Sequence, residues 1–203
     1  MQDRNEYLNQ LIDHNPGDEA ITNTDVPRIE LALTVGPVWK VAGLWHLSPE
    51  QNGGNHHTYA DLIDADGALL PVPNTNLLVY DWEGMQPEET PPPVAFDKRP
   101  PEPSANVPIW AGQHLSTWIE GGAQGAPAIS DRVVNLRTDQ PGEGGNSAGH
   151  HSFYIVWQYY EPSDAGGPEP EPGPGTPSLE ERVAALEAGQ ADLERRVTAL
   201  ENA

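Results

Sequence analysis

VWKVAGLWHL, residues 38–47, sets Val38, Lys40, Ala42 and Leu44 on one side of an extended chain and Trp39, Val41 and Gly43 on the other. Side chains alternate across a strand with a period of two, so this run reads as a β-strand with large aromatic anchors. Five more runs have the same β-branched and aromatic character: TYADLID (58–64), NLLVYDWE (76–83), HLSTWIE (114–120), DRVVNL (131–136) and SFYIVWQYY (152–160). In HLSTWIE, Leu115, Thr117 and Ile119 oppose Ser116 and Trp118. DADG, Asp64 to Gly67, is the sharpest hairpin signal. Short strands separated by turns predict a mainly β fold, an antiparallel β-sandwich of Ig-like or jelly-roll-like kind, with a barrel as the alternative. The insert EGMQPEETPPPVAFDKRPPEPSANVP (83–108) holds too much proline for a central strand and is expected to form a long ordered loop.

Composition bounds what this body can do. The chain has 203 residues, 36% of them hydrophobic, which is enough for one core of ordinary size. Its 10 Lys plus Arg against 31 Asp plus Glu give a formal charge of −21, which repels nucleic-acid backbones and anionic membrane surfaces alike. No stretch reaches the roughly 18 apolar residues of a membrane span, and MQDRNEYLNQ has neither the basic nor the apolar part of a Sec signal peptide. Without cysteine there are no disulfides, thiolate nucleophiles or Cys-based zinc sites.

Four regions follow from the pattern. Residues 1–36 are polar and acidic, with one amphipathic patch (Tyr7, Leu8, Leu11, Ile12), and are expected to form an N-terminal arm. Residues 37–160 are the β-sandwich domain. Residues 161–177, EPSDAGGPEPEPGPGTP, form a stiff Pro/Gly-rich linker. A capping box at Ser178 and Glu181 then opens a helix over 178–203. Within it Leu179, Leu186, Leu193 and Leu200 recur every seven residues, with Val183, Gln190 and Val197 between them. That heptad predicts a parallel coiled coil with the leucines at d and the others at a. Arg182 and Arg196 then fall at g, and Glu187 and Glu201 at the facing e positions of the neighbouring helix. The cassettes RVAALE and RVTALE resemble the trimer-specifying motif of short parallel coiled coils, in which the Arg stem covers the core edge while its guanidinium pairs with Glu. A homotrimer is expected, with a dimer as the alternative.

Few residue groups suggest chemistry. GNSAG (145–149) has the letters of a nucleophile elbow around Ser147, but lies between a turn-rich stretch and a strand instead of between strand and helix. The histidine pairs 56/57 and 150/151, with His46 and His114, raise a metal site; strand neighbours point to opposite faces, so each pair offers one ligand at most. Loop and rim histidines bonded to backbone are the expectation, with no metal and no cofactor. DADG echoes part of a calcium loop without its remaining acidic positions. Glu83 and Glu120 are a conceivable glycosidase pair. Of the six tryptophans, Trp39, Trp45, Trp110 and Trp157 are expected mostly in the core; Trp82 and Trp118 lie beside turns and could stack on sugar rings, with Asn55, His56 and Asp81 as polar neighbours, although core packing is the stronger expectation for these two as well.

VWKVAGLWHLSPEQNGGNHHTYADLIDADG, followed by YDWEG, PPPVAFDKR, WIEGG, SDRVVNL and NSAGHHSFYIVWQ, resembles a β-rich accessory domain found beside lysozyme-like hydrolase modules and in phage-type surface proteins. The resemblance covers about residues 38–160, and no hydrolase module accompanies it here. It implies a shared fold and brings no catalytic residues. With the trimeric coil, the expected protein is a non-enzymatic structural component, a virion decoration or appendage attached to a capsid or tail, on a virion or extracellular surface. The alternative is a carbohydrate-binding module for cell-wall or surface glycan.

Replacing both Arg182 and Arg196 with alanine removes the trimer selector but keeps every seam residue. Sedimentation equilibrium of that variant is expected to show dimers or a mixture, because Val at a with Leu at d favours two strands. Clean trimers would mean that Gln190 or the β-domain sets the number.

Overall fold

The computed structural model describes residues 4–33, 36–122, 128–138 and 150–161. The described residues all belong to one compact unit, Met1–Pro162. The expected coiled-coil positions from Leu179 to Glu201, the linker beyond Glu161, and Ser147 all lie outside the described residues.

All six strand-like runs form strands. Eleven strands are present among the described residues: β1 (Ile21–Thr22), β2 (Arg28–Glu30), β3 (Val38–Leu47), β4 (His57–Ile63), β5 (Leu77–Trp82), β6 (Val94–Ala95), β7 (Ala105–Pro108), β8 (Leu115–Glu120), β9 (Ile129–Ser130), β10 (Arg132–Leu136) and β11 (Ser152–Tyr160). Two short helices, α1 (Arg4–Asn9) and α2 (Pro49–Asn52), accompany them. The first sheet has the order β1-β3-β11-β4-β7, with β9 also beside β3; the second has the order β2-β10-β8-β5-β6.

The second sheet is antiparallel throughout. The first is not, which corrects the expectation of a purely antiparallel fold: β11 runs parallel to β4, and β1 and β9 run parallel to β3. Alternation in a sequence reveals which face a residue takes but not the direction of its neighbour, which depends on how the chain returns. β11 returns from the second sheet into the middle of the first and is buried on both faces. Such two-sided burial is the usual setting of parallel pairing.

One apolar cluster lies between the sheets. Trp39 and Leu44 of β3, Leu62 of β4, and Phe153 and Trp157 of β11 meet Leu78, Leu115, Ile119 and Val133 of the second sheet. A second cluster lies on the outer face of the first sheet, where Trp45, Tyr59 and Tyr154 are covered by Tyr7 and Leu11. The segment expected as an arm is thus built into the body: α1 covers one face, β1 extends the first sheet, and β2 extends the second. Of its patch, Tyr7 and Leu11 are buried while Ile12 stays exposed.

A bulge in β3 alters the expected alternation. Val156 pairs with Gly43 but Trp157 pairs with Val41, leaving Ala42 as an extra residue. One extra residue switches every later side chain to the other face. Leu44, expected with Val38 and Ala42, therefore joins Trp39 and Val41 between the sheets, while Ala42, Trp45 and Leu47 face α1. Gly43 makes this possible, since a Cβ there would meet the Trp45 indole at 2.1 Å.

DADG forms the expected tight turn. Asp64 Oδ1 accepts the N–H groups of Asp66 and Ala68, and Gly67 takes a left-handed φ of 81°. The returning chain touches β4 through the single bridge Ile63 to Leu69. The proline-rich insert is ordered, but it is more than a loop. It supplies edge strands β6 and β7 and places Phe96 in the core.

Two buried aspartates tie these pieces together. Asp61 on β4 accepts Arg4 Nε at 2.7 Å and Nη2 at 2.6 Å, Ser104 N–H at 2.9 Å and Oγ at 2.5 Å, and Tyr154 OH at 2.6 Å. It thereby joins α1, the end of the insert and the central strand. Asp131 accepts the Ala32 and Val41 N–H groups at 2.8 and 3.0 Å and lies 3.5 Å from Lys40 Nζ. Burial, then the Asp61 carboxylate, push the Tyr154 phenol well above its ordinary value. The raised folded-state value adds stability below about pH 10, and that stability is lost as pH rises through the folded-state value.

Arg4→Ala leaves the Asp61 charge buried with only neutral donors, so it should cost about 3–5 kcal/mol in chemical denaturation, as should Asp61→Ala. The double variant should cost much less than the sum. Additive losses would show that the two side chains act independently.

Candidate functional site

The outer face of the second sheet carries a groove of about 520 Å³. Alternation brings Arg28 and Glu30 of β2, Arg132 of β10, Ser116 of β8 and Asp81 of β5 to this face, and Trp82 and His114 close one end. A second bulge shapes the groove. Between Val133 and Leu136 the register of β10 on β8 shifts, so the consecutive residues Val134 and Asn135 both line it. Asn135 takes a φ of 64°, which asparagine tolerates better than most residues, and its Nδ2 donates to Val26 O at 2.9 Å.

Charges in the groove are mostly matched. Arg132 Nη2 donates to both Asp81 oxygens at 2.5 and 2.6 Å, and its guanidinium lies 4.7 Å from the centroid of the Trp118 ring. His114 Nδ1 lies 3.1 Å from Glu83 Oε2. The Arg28 and Glu30 side chains make no ion pair or side-chain hydrogen bond among the described residues. The lining therefore offers donors and acceptors on opposite walls with an aromatic ring at one end. A ligand rich in hydroxyl groups can use all three.

Of the residues expected to bind glycan, Asp81 and Trp82 line this groove and Trp118 lies beside it under Arg132. Trp82 also packs partly against the core between the sheets. Asn55 and His56 are not part of it; they lie just before β4, in the first sheet. Arg28, Glu30 and Arg132 escaped the sequence reading, although the alternation of DRVVNL already separates Arg132 from inward Val133, and His114 was considered there only as a metal ligand.

Trp39, Trp45 and Trp157 are buried as expected, but Trp110 is 60% exposed. Its neighbour Ile109 takes the core position, and the turn that follows brings Trp110 outward. Glu83 and Glu120 do not meet. Trp82 pairs with Leu115 and Leu77 with Glu120, so Glu83 and Glu120 stand beyond opposite ends of the β5–β8 pair, about 20 Å apart at strand rise. A glycosidase pair requires roughly 5–9.5 Å.

The histidines divide differently from the sequence reading. His56 and His57 stack with their rings 5.4 Å apart instead of pointing to opposite faces, because His56 precedes β4. His150 Nδ1 contacts Gly54 O at 2.9 Å, and His46 Nε2 lies 2.7 Å from His151 Nδ1. The latter contact takes one N–H and one lone pair, so the two rings cannot both be doubly protonated while it persists. Among the described residues, no three His, Asp or Glu side chains come together as a metal site.

No family model, curated protein or solved structure matches this chain.

The two groove tryptophans should differ on removal. Trp118→Ala gives up the stacked Arg132 contact and should lower stability by about 1 kcal/mol. Trp82→Ala also removes packing against the core and should cost about 2–3 kcal/mol. Equal losses in urea titrations would contradict the different placement of these rings.

Proposed function

We propose that the chain is a non-enzymatic phage-type structural protein that displays a β-sandwich, and that the groove of the second sheet receives surface glycan. The observation that carries the glycan part is the groove itself, with Arg28, Glu30 and the Asp81–Arg132 pair beside the Trp82 ring. Paired carboxylate and guanidinium walls bind vicinal hydroxyls, while an indole covers the apolar face of a sugar ring. A sheet supports the outward side chains, so little ordering entropy is lost on binding.

The structural role rests on the heptads. A parallel three-stranded coil formed by Leu179, Val183, Leu186, Gln190, Leu193, Val197 and Leu200 gathers three copies behind the linker. Three grooves on one particle turn weak individual contacts into useful avidity. In this reading the coil or another region attaches the trimer to a capsid or tail, and the protein acts on a virion or extracellular surface. Its charge of −21 keeps it off nucleic acid, and the described residues contain no helix long and apolar enough to cross a membrane.

The test compares the full chain with a chain ending at residue 161 on immobilised cell-wall polysaccharide. The full chain should be a trimer by light scattering and be retained strongly. The shortened chain should be a folded monomer with retention at least tenfold weaker. Arg28→Ala with Glu83→Gln, both exposed, should abolish retention of the full chain without moving its thermal transition. Retention that survives this pair of changes would remove the groove from the proposal.

A further inference from the structure

Trp110 holds an unusual position. Its own N–H is bonded by Gln113 Oε1 at 3.0 Å, its carbonyl accepts Gln113 N–H at 3.0 Å, and the preceding Ile109 N–H is bonded to His56 O at 2.7 Å. The backbone is pinned at three points while the indole is left 60% exposed. The indole is thereby held in a fixed outward position where its face can meet a ligand. From it a series of rings runs inward: Trp110 to His56 at 5.5 Å, His56 to His57 at 5.4 Å, and His57 to Tyr59 at 5.6 Å.

This series ends in the wall of a separate cavity of about 370 Å³, enclosed by β4, β7 and the proline-rich insert. Polar side chains converge there. Asn106 Oδ1 accepts Lys98 Nζ, which leaves the Asn106 amide hydrogens free for another acceptor. Asn55 Nδ2 donates to Asn52 O at 2.7 Å, and the Asn55 side chain is also hydrogen-bonded to the Tyr59 phenol. His57 Nδ1 is buried without a hydrogen-bond partner in the protein, and Glu102 completes the polar wall. Burial first, then the neighbouring His56 and Lys98, hold the His57 imidazole below its ordinary value, so it is neutral at pH 7.

We propose that this edge of the first sheet is a second saccharide site, which takes an N-acetylhexosamine oligosaccharide with one ring on Trp110 and an acetamido group between Asn106 and Glu102. An exposed aromatic covers the C–H face of a pyranose. The free Asn106 amide donor and the Glu102 carboxylate match the C=O and N–H of the acetamido group. A cavity lined mainly by polar side chains favours a sugar over an apolar ligand, and its size lies within the range of small-ligand pockets. The site lies on the sheet opposite the groove and does not depend on it.

The experiment uses the full chain and two soluble probes, chitotetraose and cellotetraose, with the indole N–H and imidazole signals followed by NMR. Chitotetraose should move the Trp110 indole and His57 ring signals with millimolar or tighter affinity, and cellotetraose should bind more weakly. Trp110→Ala should weaken binding by about threefold to tenfold. His57→Phe keeps the ring and removes the nitrogen, and should also weaken binding. Asp25→Asn, an exposed residue that lines neither surface, should leave it unchanged. Shifts confined to Trp82 and Trp118 would assign the sugar to the groove alone and overturn this site. No response to either probe at Trp110 and His57 would overturn it as well.

Discussion

A carboxylate sealed inside a β-sheet must be surrounded by donors or it will not stay ionised there. Asp61 is fully buried, and its donors come from three distant parts of the sequence: Arg4 of the first helix, Ser104 near the end of the insert, and Tyr154 of the central strand. Each piece is placed by the requirement that this one charge be satisfied. The same demand explains why an acidic, proline-rich chain can hold its N-terminal segment and its longest insert in order. Asp131 repeats the device on the other side, where it binds the backbone of Ala32 and Val41 and keeps β2 and β3 beside the start of β10.

Hydrophobic burial alone would not select this arrangement, because the first sheet is apolar on both faces. The bulge at Ala42 assigns Trp39, Val41 and Leu44 to the space between the sheets and Trp45 and Leu47 to the face beneath α1. A regular strand would have sent Leu44 outward. The bulge in β10 acts on the other sheet, where it directs two successive side chains, Val134 and Asn135, into the groove. In both sheets an extra residue converts a simple alternating surface into one with a specific shape.

The two surfaces draw on different resources. The groove is a field of matched charges on a rigid sheet, with Arg132 held between Asp81 and the Trp118 ring. The cavity at the other sheet's edge is a series of stacked rings that ends among amide groups and a neutral histidine. A chain with 21 more acids than bases gains little from broad electrostatic attraction of anionic ligands. Neutral, hydroxyl-rich ligands are the class for which local donors, acceptors and aromatic faces suffice, and both surfaces are built of these.

The strands were legible in the sequence because period-two alternation and β-branched or aromatic composition are local properties, and all six runs from VWKVAGLWHL to SFYIVWQYY became strands. The DADG turn was legible for the same reason, since an Asx turn closed by a glycine at positive φ is set within four residues. The buried indoles of Trp39, Trp45 and Trp157 could be read from their apolar neighbours. What the sequence could not decide was long-range. The parallel direction of β11 against β4, the packing of Tyr7 on Trp45 and Tyr154, and the pairing of Arg4 with Asp61 join residues whose proximity no local pattern records. The sites divided in the same way. Trp82, Trp118 and Asp81 were identified as residue types, but only the sheet order brought them beside Arg132 and Arg28, and only the turn after Ile109 carried Trp110 out of the core to join His56. Alternation belongs to the chain itself, whereas a site belongs to strands that tertiary folding has placed side by side.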